Sequence, residues 1–263
     1  MELGIAGRRA LLLASSGGLG YASALALAEE GVQVCVSGSD TARAENAAKR
    51  ISDATGQPAH GLSGDLSDPG NMDMLVDAAE TALGGPIDIL FANHGGPPLR
   101  TALEVSQEDL ATQINPMIMS QVRIIQRIAP GMQERKWGRI LMVGAAAVAE
   151  PVPTNVISSM LRTAMAHYFK TLSHQVVRDG VTVNVVSPTA VLTERTRSTA
   201  ATLGAKKGLT QEQELARREE NTPAGRLGTP EEYGATVAYL CGVHAGYLTG
   251  GNWRVDGGDS AGL

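Results

Sequence analysis

Ala10-Leu-Leu-Leu-Ala14-Ser-Ser-Gly17-Gly18-Leu19-Gly20 is the stretch that decides the fold. Residues 10–14 form a short, unbroken apolar run bounded by a glycine-rich turn, which reads as a strand buried on both faces. Gly17, Gly18 and Gly20 then allow a tight turn and a close approach of backbone to a ligand. Residues 19–30 follow as an alanine-rich helix, whose N-terminus offers unpaired N–H groups and the positive end of a dipole. Strand, glycine-rich turn and helix in that order make a cradle for a pyrophosphate.

The same alternation continues outward along the chain. Further strand-like runs fall at 32–37, 59–63, 87–92, 138–144, 181–187 and 252–255, and amphipathic helical stretches at 41–55, 69–83, 107–135, 154–179 and 230–242. Apolar strands joined by helical crossovers predict a parallel sheet with helices on both faces. The expectation is one doubly wound, Rossmann-type α/β domain over residues 1–263. Residues 193–221 break the rhythm as a polar, charged insertion, which reads either as a solvated helical pair or as a substrate lid.

Hydrophobic residues make up 43% of the 263 and aromatics only 3%, so Ala, Val, Leu and Ile must fill the core. A net charge of −5 argues against nucleic acid or an anionic membrane as partner. No apolar run approaches the roughly 20 residues of a membrane span, and no secretory signal follows the N-terminal charges. Cys35 and Cys241 read as reduced core residues, which together with the missing signal predicts a cytoplasmic protein. No metal is expected.

Several further motifs lie in order: Asp65-Leu66, Ala92-Asn93-His94-Gly95, Asn115, Val181-Thr-Val-Asn184 with Pro188, Gly225-Arg-Leu-Gly-Thr-Pro-Glu-Glu232 and Val255-Asp-Gly-Gly258. With the opening turn they make the chain resemble the short-chain dehydrogenase/reductase family, and its 3-oxoacyl-carrier-protein reductase branch in particular. The resemblance covers nearly the whole chain. It implies a seven-stranded sheet and a homotetramer, or at least a homodimer, acting on a small molecule.

Carried over residue by residue, the resemblance implies a cofactor site with departures. The family's Thr-Gly-x-x-x-Gly-x-Gly becomes Leu13-Ala14-x-x-x-Gly18-x-Gly20, with Ser16 and Leu19 inside the turn. Asp65 and Leu66 match the adenine contacts, Asn93 and Gly95 the adenosine-ribose region, and Pro188 and Thr193 the segment after the sixth strand. At the end of the second strand Gly38 replaces an acid that would hold the ribose of NAD, and Ser39 stands where an arginine is usual. With no carboxylate to repel a 2′-phosphate, NADP is favoured, with Ser39 and Arg43 as contacts. NAD is the alternative cofactor, and a pocket that has lost dinucleotide binding is the third reading.

The family's chemistry uses a Tyr, a Lys four residues later, a Ser and an Asn. Counting from Val181-Thr-Val-Asn184 and from Trp137-Gly-Arg-Ile140 places those positions at Ser158, Arg162 and Ala145, while Asn115 keeps its identity. Ser158-Ser-Met-Leu-Arg162 with Gly95-Gly-Pro-Pro98 is similar to a divergent subgroup with this substituted site. A serine hydroxyl is a far weaker acid than a phenol, which titrates near pH 10, and arginine presents a planar fork instead of a point charge. His94, with Glu150 to orient it, is the alternative acid–base pair. Three readings follow: an NADP-dependent oxidoreductase of a small or acyl-linked carbonyl or alcohol with an atypical site, a non-redox lyase, isomerase or dehydratase using His94, and a silent subunit that partners an active paralogue.

Overall fold

The computed structural model describes residues 1–260. Seven strands form: β1 (Arg9–Leu12), β2 (Gln33–Gly38), β3 (Ala59–Ser63), β4 (Ile89–Ala92), β5 (Gly138–Val143), β6 (Val181–Pro188) and β7 (Asn252–Val255). All neighbours pair in parallel, in the order β3-β2-β1-β4-β5-β6-β7. Side chains alternate across each strand. Leu11 and Leu13 therefore enter the core on one face of the sheet, while Ala10 and Leu12 enter the core on the other. This explains why the first strand is apolar at every position from Ala10 onward.

Nine helices form among the described residues, and most of them cover the two faces of the sheet: α1 (Gly18–Glu29), α2 (Thr41–Thr55), α3 (Met72–Ala82), α4 (Gln107–Ile114), α5 (Ser120–Glu134), α6 (Val156–Val176), α7 (Glu194–Ala205), α8 (Gln211–Asn221) and α9 (Pro230–Cys241). Strand order reverses at β1, which pairs with both β2 and β4. A doubly wound sheet opens its ligand crevice at that switch point, beyond the carboxyl ends of the strands. No helix of the described residues is long and apolar enough to cross a membrane. Cys35 and Cys241 are buried and free, one in each core.

The structure corrects the single helix expected over 107–135. A wide π turn at Asn115–Met119 separates α4 from α5. Pro116 has no N–H to continue the i→i−4 ladder and its ring crowds the preceding turn. The N–H of Ser120 reaches back to the Asn115 carbonyl, five residues away. The last helix of the 154–179 stretch ends sooner than expected, at Val176, with one tight turn and Gly180 at φ 74°.

The insertion is a helical pair, α7 and α8, capped by Thr193 and Thr210. Its two helices are clasped by Glu214, whose buried carboxylate lies 3.0 Å from Lys207 Nζ, 3.1 Å from Arg217 Nε and 3.6 Å from Arg218 Nε. Hydrogen bonds from Arg217 foremost, and from Lys207, hold the Glu214 carboxyl down to about 2 against the opposing effect of burial. The ordinary value is 4.5, so the folded state binds this proton less readily than the unfolded one. The contribution is therefore complete above that value and is lost as pH falls toward 2. The stability gap between the wild type and Glu214→Gln in urea unfolding should be widest at neutral pH and close progressively below about pH 4.5.

At the opposite end of the sheet, Asp88 is buried between two arginines. It accepts from the Arg9 backbone N–H at 3.2 Å and from Arg9 Nε at 3.1 Å, and Arg135 Nη2 stands 3.6 Å away.

Candidate active site

The carboxyl ends of β1, β4, β5 and β6 surround a cavity of about 500 Å³. Its floor at one end is the turn between β1 and α1. Ala14 leaves the strand at φ 46°, a left-handed conformation that costs a residue with a Cβ about 1 kcal/mol relative to glycine. Two bonds fix the turn: Ser15 N–H donates to Ser37 O at 2.9 Å, and Asn93 Nδ2 donates to Ala14 O at 3.0 Å. A Cβ on Gly20 would collide with Ser15, so the helix can begin directly under the turn only with glycine there. No side chain caps α1, and Gly18 and Leu19 at its start line the cavity. That leaves N–H groups facing the space, as an anion site requires.

Ser16 and Arg43 flank the same end. A Cβ on Gly38 would stand 3.4 Å from Ser16 Oγ, so the second strand ends against the turn with no side chain between them. Arg43 lies in the first turn of α2, held in place where its N–H donates to the Asp40 carboxylate at 3.1 Å.

Ser158 and Arg162 form the wall at the other end, one turn apart on α6. Both are buried, so neither is a surface remnant. Arg162 Nε donates to Ser158 Oγ at 3.2 Å, and its Nη1 donates to the Val143 carbonyl at the end of β5. Burial first, and Arg195 less, lower Arg162 to about 10, partly opposed by Tyr233. The guanidinium therefore keeps its charge at neutral pH. Ala145 beside it contributes only a methyl group.

His94 is buried in the same wall, with Nδ1 against the Gly95 carbonyl. Burial and then the positive charges of Arg162 and Arg195 hold it well below the ordinary imidazole range, while the Gly95 carbonyl acts weakly the other way. A neutral ring facing a carbonyl donates through Nδ1, which leaves Nε2 as a bare acceptor. Glu150 is half-buried and lies outside the cavity lining.

Gly95, Pro188 and Thr193 also line the cavity. The remaining expected contacts are not among the lining residues. Ser39 is exposed beyond the lining, and Gly20 sits beneath the turn. The Asp65 carboxylate accepts from Ser67 N–H at 2.9 Å. The Leu66 side chain is in the core and its carbonyl accepts from Ser120 Oγ at 2.6 Å. Asn115, expected to prop a water relay, sits in the π turn and donates to Ser67 O at 2.9 Å, outside the lining.

Two residues complete the site that the sequence did not single out. Arg195, in the first turn of α7, donates from Nη2 to Pro97 O at 2.6 Å. Its guanidinium lies over Gly96, where a Cβ would stand 2.7 Å from Nε. Asn155 lines the cavity with its Oδ1 buried and without a hydrogen-bond partner. The Gly95-Gly-Pro-Pro98 run was the available signal for Arg195, because two glycines before two prolines leave open backbone for a guanidinium to cover.

The family model described as enoyl-(acyl carrier protein) reductase matches residues 13–260. The chain belongs to the short-chain dehydrogenase/reductase family. With that family it joins the NAD(P)-dependent oxidoreductases. The 3-oxoacyl-[acyl-carrier-protein] reductase of Vibrio cholerae is 29% identical over 256 residues, covering 97% of this chain and 98% of its own. The protein of the same name in Escherichia coli is 28% identical, covering 96% and 97%. Among solved structures, L-sorbose reductase of Gluconobacter frateurii complexed with NADPH and L-sorbose is 28% identical, with a TM-score of 0.93 over 100% of both chains. A 3-oxoacyl (acyl-carrier-protein) reductase of Agrobacterium tumefaciens with NADP bound is also 28% identical, with a TM-score of 0.87 over 98% and 96%. This short-chain dehydrogenase/reductase thus shares both its strand order and its length with reductases whose structures hold NADPH or NADP.

Proposed function

We propose that the protein is an NADP-dependent oxidoreductase of a carbonyl or alcohol, with Ser158 and Arg162 standing where most of its family carry Tyr and Lys. The observation that carries the reading is the buried Ser158–Arg162 pair, set in one cavity with the uncapped start of α1. The residues fit a dinucleotide: the turn leaves room for a pyrophosphate, and Arg43 supports a 2′-phosphate.

NADPH, when bound, supplies a hydride. Arg162 then holds a ribose hydroxyl or a substrate oxygen. Ser158 accepts from Arg162 Nε, which orients its own proton toward the substrate. Its weak acidity makes it a relay and not a source. Neutral His94, with Nε2 free to accept, favours a second reading in which the same cleft abstracts a proton in a non-redox reaction.

Calorimetry with the two reduced cofactors tests the proposal. NADPH should bind about three- to fivefold more tightly than NADH, a modest gain because Arg43 is exposed and screened. Equal affinity or a preference for NADH refutes the cofactor assignment, and no binding of either supports the non-redox or silent-subunit reading.

The exposed apolar side chains Ile114, Met119 and Met160 lie on α4, the π turn and α6. They support a homotetramer or homodimer joined through these helices. A monomer in sedimentation at micromolar concentration refutes it.

A further inference from the structure

We infer that the chemistry end of the cleft takes a substrate bearing a carboxylate, held between Arg162 and Arg195 beside His94, with Asn155 receiving a substrate hydroxyl. The inference rests on the reading above only in placing the reacting carbon at this end.

Arg162 is 8% exposed, and its two hydrogen bonds go to neutral acceptors, Ser158 Oγ and Val143 O. Among the described residues no ion pair includes Arg162 or Arg195. A buried guanidinium without a counter-ion is costly. A ribose hydroxyl or a plain ketone would leave it so, whereas a carboxylate matches the planar fork in both charge and shape.

Arg195 makes the arrangement a clamp. It reaches the cavity from the insertion and is anchored on Pro97 O. It is close enough to Arg162 and His94 to depress both. Glu194, the acidic residue of the lining, is exposed at the rim and leaves the interior positive. The buried Asn155 Oδ1 has no partner and requires a donor. Carboxylate and hydroxyl together describe a hydroxy acid; the oxo acid related to it by hydride transfer keeps the carboxylate but offers Asn155 no donor.

The cofactor's phosphates are a second source of negative charge. Arg43, beside Ser16 at the other end, is placed for those.

Calorimetry with a panel of 2-hydroxy acids, each paired with its neutral amide, with and without saturating NADPH, separates the sources. At least one acid should bind about 30-fold or more tightly than its amide. Arg195→Gln, a substitution of an exposed side chain, should remove most of that preference while changing NADPH affinity less than about threefold. Arg162→Met should remove it as well, and Arg162→Lys should restore part. Equal binding of acids and amides, or no binding of either, overturns the inference. So does a loss of NADPH affinity in Arg195→Gln as large as the loss for acids. If NADPH fails to bind the wild type while the acid preference persists, the carboxylate site stands and the oxidoreductase reading falls. Should Arg162→Met not fold, Arg195→Gln alone decides.

Discussion

Arg162→Ala should lower kcat/KM by about 2–4 kcal/mol of transition-state stabilisation, roughly 30- to 1000-fold. Three losses combine. The charge that would meet a ligand oxygen disappears, the Ser158 hydroxyl loses the Nε donor that orients it, and the Val143 carbonyl loses its partner. Arg162→Lys keeps the charge but not the fork and should recover part of the rate. A rise in KM alone would mark uniform binding of substrate, whereas a matching fall in kcat would mark contact made in the transition state. If Arg162→Ala leaves a confirmed native activity untouched, the pair plays no part in the reaction, and His94 becomes the leading proton-transfer group. The measurement is steady-state oxidation of NADPH by wild type and both variants at matched fold integrity.

Asp88→Ala should destabilise the fold by about 3 kcal/mol, seen as a fall in Tm of roughly 6–12 °C. The carboxylate is buried, and it joins the edge of β1, through the Arg9 N–H and guanidinium, to the start of β4 and to Arg135. Its removal strands a backbone donor of Arg9 and two cations. Both guanidiniums retain some contact with water, so they can turn outward, and the expected cost lies at the low end for a broken buried pair. Asp88→Asn preserves acceptors and should cost less. A thermal melt with Asp88→Ala within 2 °C of wild type would refute the assignment.

The strands were legible in the chain because each apolar run is short, bounded by turn residues and filled on both faces, as Ala10 to Leu13 show. The single helix over 107–135 was not legible as two, since the alanine-poor apolar period runs straight through Pro116 and only the backbone shows where the missing N–H is absorbed. Of the site, the parts made locally were readable: the turn at 14–20 and the i,i+4 pair on α6. Arg195 and Asn155 were not. Arg195 gains its meaning from a carbonyl 98 residues away, and the Gly95-Gly-Pro-Pro98 run shows open backbone without showing which distant side chain covers it. Asp65, Leu66 and Asn115 came from family resemblance, and their polar groups join the Ser67 and Ser120 segment.

The two cysteines make the fold its own reporter. Burial pushes both thiols up to about 12, so at neutral pH nearly none of either is thiolate, the form that reacts with alkylating reagents. Modification must then wait for the chain to open. Cys35 belongs to the core on the α5 side of the sheet and Cys241 to the core beneath α9. With excess reagent, the two labelling rates time the opening of each layer separately. Equal rates mean that the sheet is uncovered in one cooperative event, and a faster Cys241 means that the α9 layer peels away first.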